Sequence, residues 1–155
     1  LVKEIGCDAT KFFYLTKKKE QHLEFDVDLA IEKNKNNPIY YIQYAHARIK
    51  RIIDDLKQQD IKKEALNDLK TKNENQLIEL ISLYQDTINK SIREIRPDII
   101  TNYLYKLSQV FHSYYAETKI LSSEIKGEKI LLIKCVDKII LNGFQLLDIE
   151  PMDVM

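Results

Sequence analysis

Apolar residues recur at steps of three and four through most of the chain, which is the spacing of an α-helix with one buried face. The clearest stripes follow Pro38, Pro97 and Gly127. Their members are Tyr41, Ala45, Ile49, Ile52 and Leu56 in the first segment, Ile100, Leu104, Leu107, Phe111 and Tyr114 in the second, and Ile133, Val136, Ile140, Gly143 and Leu147 in the third. This pattern predicts an all-α fold, a bundle of long amphipathic helices.

Residues that favour helix starts precede two of these stripes. Asn37 followed by Pro38 is typical of an N-cap with proline in the first helical position, where its missing N–H group costs nothing. The triplet Arg96-Pro97-Asp98 predicts a second start of the same kind. The two prolines therefore mark where long helices begin.

Other local signals predict further helix boundaries and one close contact between helices. Thr71 and Glu74 have the spacing of a capping box, which predicts a further helix start ahead of an apolar run. Pro151 follows the last stripe and closes it. Gly143 lies inside that stripe, where glycine weakens a helix by about 1 kcal/mol relative to alanine, so we expect it to permit a close contact between helices.

The first 36 residues differ from the rest of the chain in their pattern of apolar and polar positions. They combine helical signals with an aromatic cluster, Phe12 to Tyr14, and they open at Leu1 in a pattern that is already helical. We therefore interpret residues 1–36 as an appendage of a longer protein, and residues 37–155 as a self-contained helical bundle. The Lys- and Asn-rich stretch 57–75 is expected to be a loop or a solvated helix face.

The amino-acid composition supports the helical prediction and bears on which classes of partner the sequence favours. Three glycines and three prolines in 155 residues are too few for the turns of a β-sandwich or barrel. Basic and acidic residues number 24 each, so bulk charge favours neither a nucleic-acid nor a membrane partner. The distant Cys7 and Cys135 predict reduced thiols, and neither a membrane span nor a secretion signal is indicated.

Patterns for catalysis and metal binding do not occur in the sequence. The three histidines, His22, His46 and His112, lack the spacing of a zinc site, and there is no glycine-rich phosphate loop or nucleophile elbow. Asp26 and Asp28 could bind a cation, although helix capping is the favoured interpretation. We therefore predict no catalytic residue and no metal ligand in this chain.

A basic, tyrosine-rich stretch gives the strongest binding signal. From Lys33 to Arg51 there are five positive residues and no acidic one, interleaved with tyrosines and amides. Cations neutralise phosphates and aromatic rings stack on unpaired bases, so the mixture suits single-stranded nucleic acid. On composition alone, an equal alternative is a protein-interaction or scaffold helix with Tyr41 and Ala45 in its core.

One string of residues favours nucleic-acid binding over the scaffold alternative. The segment from Asn37 to Ile49, NPIYYIQYAHARI, closely resembles the signature NPVYYVQYAHARI of bacterial arginyl-tRNA synthetases. Weaker resemblances follow in order: residues 8–15 to the family's D-A-x-R-F-F-x-L, residues 23–30 to its L-D-F-D-L-D-L-A, and residues 97–115 and 146–155 to a later helix and its C-terminal end. The resemblance spans the whole chain.

The resemblance implies a C-terminal piece of a cytoplasmic class I enzyme that attaches arginine to its tRNA using ATP with Mg²⁺. Residues 1–36 would be the tail of the catalytic domain and a connecting segment, and residues 37–155 an all-helical anticodon-binding domain of the DALR type. The HIGH-like and KMSKS-like ATP-binding signatures do not occur here. The piece is therefore expected to bind tRNA for arginine and the upstream catalytic domain, to use no cofactor or membrane, and to be inactive alone.

The resemblance also implies a binding site. The predicted tRNA-binding residues are Tyr41, Gln43, Tyr44, Arg48 and Met155. Of these, Tyr41, Arg48 and Met155 correspond to family residues that contact or shape the anticodon loop. All arginine anticodons share a middle cytosine, so we expect that base to be read. The chain departs from the family at two places. Lys11 stands where the family has arginine, and residues 151–155 contain no arginine, whereas the family's usual C-terminal ending does.

Overall fold

The computed structural model describes residues 2–22, 24–56, 69, 71–118 and 127–155. Within these ranges the chain forms eight α-helices and no β-strand, which confirms the all-α prediction. The helices are α1 (Val2–Ile5), α2 (Cys7–Leu15), α3 (Val27–Ile31), α4 (Pro38–Leu56), α5 (Lys72–Ser82), α6 (Tyr84–Glu94), α7 (Asp98–Glu117) and α8 (Gly127–Leu146).

Helix α7 lies at the centre of the bundle, where it contacts α4, α5, α6 and α8. Its predicted stripe is buried, and Leu104, Leu107 and Phe111 have no exposed surface. The predicted stripe of α8 is also buried, from Ile133 to Leu147. The apolar members of both stripes belong to a single core, to which α4 and α5 contribute, so the periodicity identified these helix faces correctly.

The buried line of α4 differs from the predicted stripe at its start. Ile42 and Ala45 have no exposed surface, whereas Tyr41 is only partly buried. The prediction that Tyr41 belongs to the core stripe is wrong, because its ring packs beside His112 at the edge of the bundle. The side chain of Leu56 lies outside the described residues.

Both helix starts marked by proline are confirmed, with one difference between them. Helix α4 begins at Pro38, and Asn37 caps it by accepting a hydrogen bond at 3.4 Å from the N–H three residues on. Helix α7 begins at Asp98, so Pro97 is the cap and not the first helical residue. There Arg96 donates to both carboxylate oxygens of Asp98, at 3.1 and 2.7 Å, and these hydrogen bonds hold the pKa of Asp98 below its ordinary value.

The capping box predicted at the start of α5 is confirmed. The Thr71 hydroxyl accepts a hydrogen bond from the Glu74 N–H at 3.2 Å, and the Glu74 carboxylate accepts one from the Thr71 N–H at 2.9 Å. Leu77, one turn into the helix, has no exposed surface. Local capping and burial of one face therefore agree on where α5 begins.

The expectation that the stretch 57–75 is a loop or a solvated helix face is wrong near its end. Asn73 and the residue after it are buried within α5. Asn73 can be buried because its amide donates a hydrogen bond to a Glu117 carboxylate oxygen at 2.6 Å, which ties α5 to α7. Residues 57–68 and 70 lie outside the described residues.

The three short N-terminal helices pack against the bundle. Phe12 is fully buried in the same core as α7 and α8, and the ring of Phe13 lies 5.5 Å from that of Phe25 between centroids. Asp26 caps α3 by accepting a hydrogen bond from the Leu29 N–H at 2.9 Å, which confirms its capping role. The division between appendage and bundle stays a prediction, since the two share one core.

Gly143 permits the close helix contact that its position predicts. A Cβ atom there would lie 2.6 Å from both δ carbons of Leu104 on α7. Leu104 is itself fully buried, so its side chain has little room to move away. The glycine therefore allows α7 and α8 to pack at their observed distance.

Ile95 ends α6 in a left-handed backbone conformation, with φ 53° and ψ 50°. That region is unfavourable for a β-branched residue, and the side chain is 86% exposed, so packing offsets little of the cost. We expect Ile95→Gly to raise the free energy of unfolding by about 0.5–1 kcal/mol, because glycine is the preferred residue in this conformation at a helix end. Urea denaturation measures the change.

Ile92→Gly is the matched control for this substitution. Ile92 is also exposed, at 70%, but it lies inside α6. Glycine there should lower the free energy of unfolding by about 0.5 kcal/mol, since it is a poorer helix former than isoleucine. Effects of the same sign at both positions would contradict the argument from backbone conformation.

Two further expectations concern membranes and disulfides. No helix in the described ranges is long and apolar enough to cross a bilayer. Cys7 is exposed and Cys135 partly buried, and both are free in the structure.

Candidate nucleic-acid interface

Ring-bearing side chains from α4 and α7 meet on one side of the bundle. They form what we call the aromatic strip, which consists of Tyr40, Tyr41, Tyr44, Tyr105, His112 and Tyr115. The His112 ring centroid lies 4.1 Å from that of Tyr41 and 5.4 Å from that of Tyr44. All five tyrosines are partly exposed, so the strip presents ring surface to solvent.

Arg48 lies between two rings of this strip. Its guanidinium carbon is 4.4 Å from the ring centroid of Tyr44, one turn earlier on α4, and 4.2 Å from that of Tyr115 on α7. The guanidinium also donates hydrogen bonds to the Tyr44 hydroxyl and, at 3.3 Å, to Nδ1 of His112. Two cation–π contacts and two hydrogen bonds hold this cation in one orientation.

His112 is the acceptor that makes this arrangement possible. Burial, with a smaller contribution from the Arg48 charge, lowers the pKa of His112 to about 4, so the imidazole is neutral at neutral pH. Arginine can only donate, so Nδ1 accepts from Arg48, and Nε2 donates to the Tyr41 carbonyl oxygen at 3.1 Å. A neutral histidine thereby joins the backbone of α4 to the guanidinium.

The last residues of the chain, 148–155, which we call the tail, are tied back to the helices. Lys11 donates to a carboxylate oxygen and to the carbonyl oxygen of Asp148, both at 2.6 Å. Gln43 donates from its amide to the Glu150 carbonyl oxygen at 3.2 Å. The tail therefore has fixed contacts with both α2 and α4.

His46 joins the tail to α8. Its Nδ1 lies 2.7 Å from a carboxylate oxygen of Asp137, and its Nε2 lies 3.1 Å from one of Asp153 in the tail. The other oxygen of Asp153 accepts a hydrogen bond from Lys50 at 2.9 Å. Burial lowers the pKa of His46, but the hydrogen bonds and charges of the two aspartates outweigh that effect and raise the pKa above its ordinary value.

A cavity of about 490 Å³, which we call the Arg48 pocket, opens beside Arg48. Tyr44, Tyr115 and the tail from Asp153 to Met155 line it. Its charged lining residues are Arg48, Lys50 and Arg51 with Asp54, Asp55 and Asp153. Cations and carboxylates therefore balance here, and the acid-free stretch 33–51 does not produce a purely basic surface.

The structure brings three of the five predicted site residues together. Tyr44, Arg48 and Met155 line the Arg48 pocket. Tyr41 lies beside it in the aromatic strip, in contact with His112. Gln43 does not line the Arg48 pocket: it is buried with its amide engaged by the tail, and with Tyr40 and Met155 it lines a second cavity of about 680 Å³.

The sequence also held residues that were not predicted as part of the site. Tyr105, His112 and Tyr115 complete the strip from α7. The signal that could have identified them is their spacing, because positions seven and ten residues apart from the first share one helix face. Which face of α7 meets α4 depends on the tertiary fold, and sequence spacing alone does not provide it.

Metal binding has no support in the part of the chain that the structure describes, where no group of three or more His, Cys, Asp or Glu side chains could hold a metal ion. His22 is exposed near the N-terminal helices. His46 and His112 belong to the two separate hydrogen-bond networks described above. The three histidines therefore do not converge.

Comparison with proteins of similar sequence identifies one family. Residues 42–155 match the family described as DALR anticodon binding domain. Across the whole chain, the arginine–tRNA ligase of Ureaplasma parvum is 36% identical and that of Acinetobacter baumannii 34% identical. The chain spans only 28% and 27% of the length of these two relatives.

Solved structures share the fold. A Campylobacter jejuni protein described as an arginyl-tRNA synthetase is 32% identical, with a TM-score of 0.86 over 99% of this chain and 34% of its own. The arginyl-tRNA synthetase of Thermus thermophilus is 20% identical and shows the fold alone, with a TM-score of 0.80 over 99% of this chain and 27% of its own. Because the family match covers well over half of its residues, the chain belongs to the DALR anticodon binding domain family, as found in arginine–tRNA ligases.

Proposed function

We propose that the chain binds the anticodon loop of an arginine-specific tRNA through the aromatic strip and the Arg48 pocket. The observation that carries this proposal is the guanidinium of Arg48, held between the rings of Tyr44 and Tyr115 at the edge of a cavity. Anticodon bases are unpaired, and proteins bind such bases by stacking them on rings and bonding to their edges. The family match of residues 42–155 supports the same ligand.

The tyrosines of the strip supply the stacking surface. Tyr40 and Tyr44 have nearly parallel rings with centroids 6.2 Å apart, and Tyr41 extends this surface towards Tyr105. Stacking of one base on an aromatic side chain contributes about 1–3 kcal/mol and depends little on which base it is. The strip therefore provides affinity for an unpaired loop, and other groups must provide the choice of base.

Arg48 is the side chain best placed to choose a base. Its guanidinium lies against two rings, and the N–H groups not used by Tyr44 and His112 remain for a ligand. The Watson–Crick edge of cytosine has two neighbouring acceptors that fit a planar fork of donors. We assign the middle cytosine of the anticodon to the Arg48 pocket.

The end of the tail forms the apolar part of the same pocket. Met155 is 41% exposed and Val154 is 85% exposed, although both line the cavity. A flexible thioether can adapt to the face of a base. We assign Met155 to contact with the loop, and Gln43, which is buried against the tail, to holding that tail in place.

We further propose that the chain acts as part of a longer arginine–tRNA ligase. The chain spans about a quarter of the curated relatives, and their shared name describes the whole enzyme. A catalytic part outside residues 1–155 would bind ATP with Mg²⁺ and attach arginine, in the cytoplasm. Residues 1–36 would lead from it to an anticodon-binding domain at 37–155, which would bind tRNA without charging it.

Competition between two halves of a tRNA tests the site of binding. A hairpin with the anticodon stem and loop of an arginine tRNA should displace the full tRNA from the chain, and a hairpin with its acceptor stem should not. Only the first contains the unpaired bases that the strip can stack. Displacement by the acceptor hairpin alone would overturn the proposal, and absence of binding to all three would leave the helical scaffold function in its place.

A further inference from the structure

We propose that protonated His46 holds Asp153 and thereby positions the end of the tail at the Arg48 pocket. His46 is a positioning residue, because it lines neither that pocket nor the aromatic strip. The inference concerns how the tail is held, and its effect on RNA rests on the proposed function. It makes tail docking dependent on pH.

The geometry around His46 requires two donors on one imidazole. Both ring nitrogens lie within hydrogen-bond distance of a carboxylate oxygen, Nδ1 at 2.7 Å from Asp137 and Nε2 at 3.1 Å from Asp153. A carboxylate can only accept, so both contacts are hydrogen bonds only when both nitrogens carry a proton. The observed arrangement is therefore that of an imidazolium between two aspartates.

Loss of the proton breaks the contact with the tail first. A neutral imidazole keeps one N–H, and the other nitrogen then faces a carboxylate with its lone pair. Asp137 has the shorter contact and a side chain only 14% exposed, whereas that of Asp153 is 56% exposed. The remaining proton stays on Nδ1, because the more buried carboxylate has less access to water, and Asp153 is released.

The charges around His46 fix the direction of the pH dependence. Asp137 from α8, Asp153 from the tail and Lys50 from α4 face this group, and Asp54 faces Lys50 in turn. Since the pKa of His46 is raised in the folded chain, its stabilising contact is fully present below the ordinary histidine pKa. The contact is lost as the pH rises through the raised value, which leaves the exposed Lys50–Asp153 ion pair as the weaker hold.

The same aspartate connects this contact to the pocket. Asp153 itself lines the Arg48 pocket, and Met155 lies two residues further along the chain in the same lining. Release of the Asp153 carboxylate from His46 therefore leaves the tail, where it forms the pocket wall, to the weaker hold of the Lys50–Asp153 ion pair. The contacts of Asp148 and Glu150 lie further back and do not restrain Met155 directly.

The two methionines of the chain report on the tail without RNA. Met152 and Met155 are the only methionines in the sequence, and both lie in the tail. The protein is labelled with ¹³C at the methionine methyl groups. As the pH is raised from 5.5 to 8.5, the Met155 NMR signal should move towards the position that it has in a free peptide. The midpoint of this movement should coincide with the midpoint of the His46 titration. In Asp153→Ala, which leaves no group for His46 or Lys50 to hold, the signal should be close to that position at every pH. A Met155 signal that stays constant while His46 titrates would overturn the inference.

RNA binding then separates this inference from the proposed function. The wild type should bind the anticodon hairpin about three- to tenfold more weakly at pH 8.5 than at pH 5.5, the range for loss of one ordinary hydrogen bond, because the Lys50–Asp153 ion pair still holds part of the tail. Asp153→Ala and His46→Gln should lose this dependence, and His22→Gln, at an exposed histidine, should keep it. The same pH dependence in Asp153→Ala as in wild type would overturn the inference. A titrating Met155 signal without any RNA binding would instead overturn only the proposed function.

Discussion

Replacing Arg48 by alanine should weaken binding of the anticodon hairpin by about ten- to a hundredfold, which corresponds to roughly 1.4–2.8 kcal/mol. The substitution removes the donors assigned to the middle cytosine and the cation between Tyr44 and Tyr115. It also leaves Nδ1 of His112 without the donor that it faces. Equilibrium binding of a fluorescent hairpin at fixed salt measures the loss.

Arg51→Ala is the matched control for Arg48→Ala. Arg51 lines the same pocket and carries the same charge, but it is exposed on α4. Removing it should weaken binding by less than about fivefold, as is usual for a solvated cation near a phosphate. Arg48→Lys should resemble Arg48→Ala, because lysine keeps the charge but lacks the planar fork. Equal losses for Arg48→Ala and Arg51→Ala would contradict a specific role for Arg48.

Gly143→Ala should lower the free energy of unfolding by about 1–3 kcal/mol, although alanine is the better helix former. The added Cβ would lie 2.6 Å from both δ carbons of Leu104, which is fully buried between α7 and its neighbours. Either Leu104 leaves its rotamer or the two central helices move apart. Denaturant unfolding of the two chains measures the difference.

A double-mutant cycle identifies the cause of that loss. Leu104→Ala alone should cost about 2–5 kcal/mol, because it opens a cavity in the core. In that background, Gly143→Ala should cost little or even stabilise, since the atoms that it meets are gone. An undiminished cost in the double variant would show that the α7–α8 contact at Gly143 is not responsible.

The helices could be predicted from the sequence because their signals are local. Pro38, Asn37 and the Thr71 capping box act within one turn, and the structure confirms each of them. The register of α4 was predicted less well: Tyr41 and Ile42 are adjacent apolar residues, and periodicity alone does not decide which of them faces the core. Tertiary packing decides it: Ile42 is fully buried in the core, whereas Tyr41 contacts Tyr105 and His112 at the edge of the bundle.

The candidate site depends on contacts between distant parts of the chain, and these the sequence did not reveal. Arg48 and His112 are 64 positions apart, and His46 and Asp153 are 107 apart. The acid-free stretch that ends at Arg51 indicated a basic surface, yet the tail returns Asp153 to it. Charge along the chain therefore overstated the charge at the site, whereas the family motif directed attention to α4, whose part in binding stays a prediction.

The most direct test of base reading by this surface compares two anticodon hairpins that differ only in the middle base. The chain should bind the hairpin with the natural cytosine at least about tenfold more tightly than one with uridine there, since N3 of uracil is an N–H donor where N3 of cytosine is an acceptor beside O2, so the Arg48 fork meets a donor in place of its second acceptor. The difference should persist at both low and high salt, because it does not come from phosphate contacts. Equal dissociation constants for the two hairpins at every salt concentration would contradict the claim that this surface reads the anticodon.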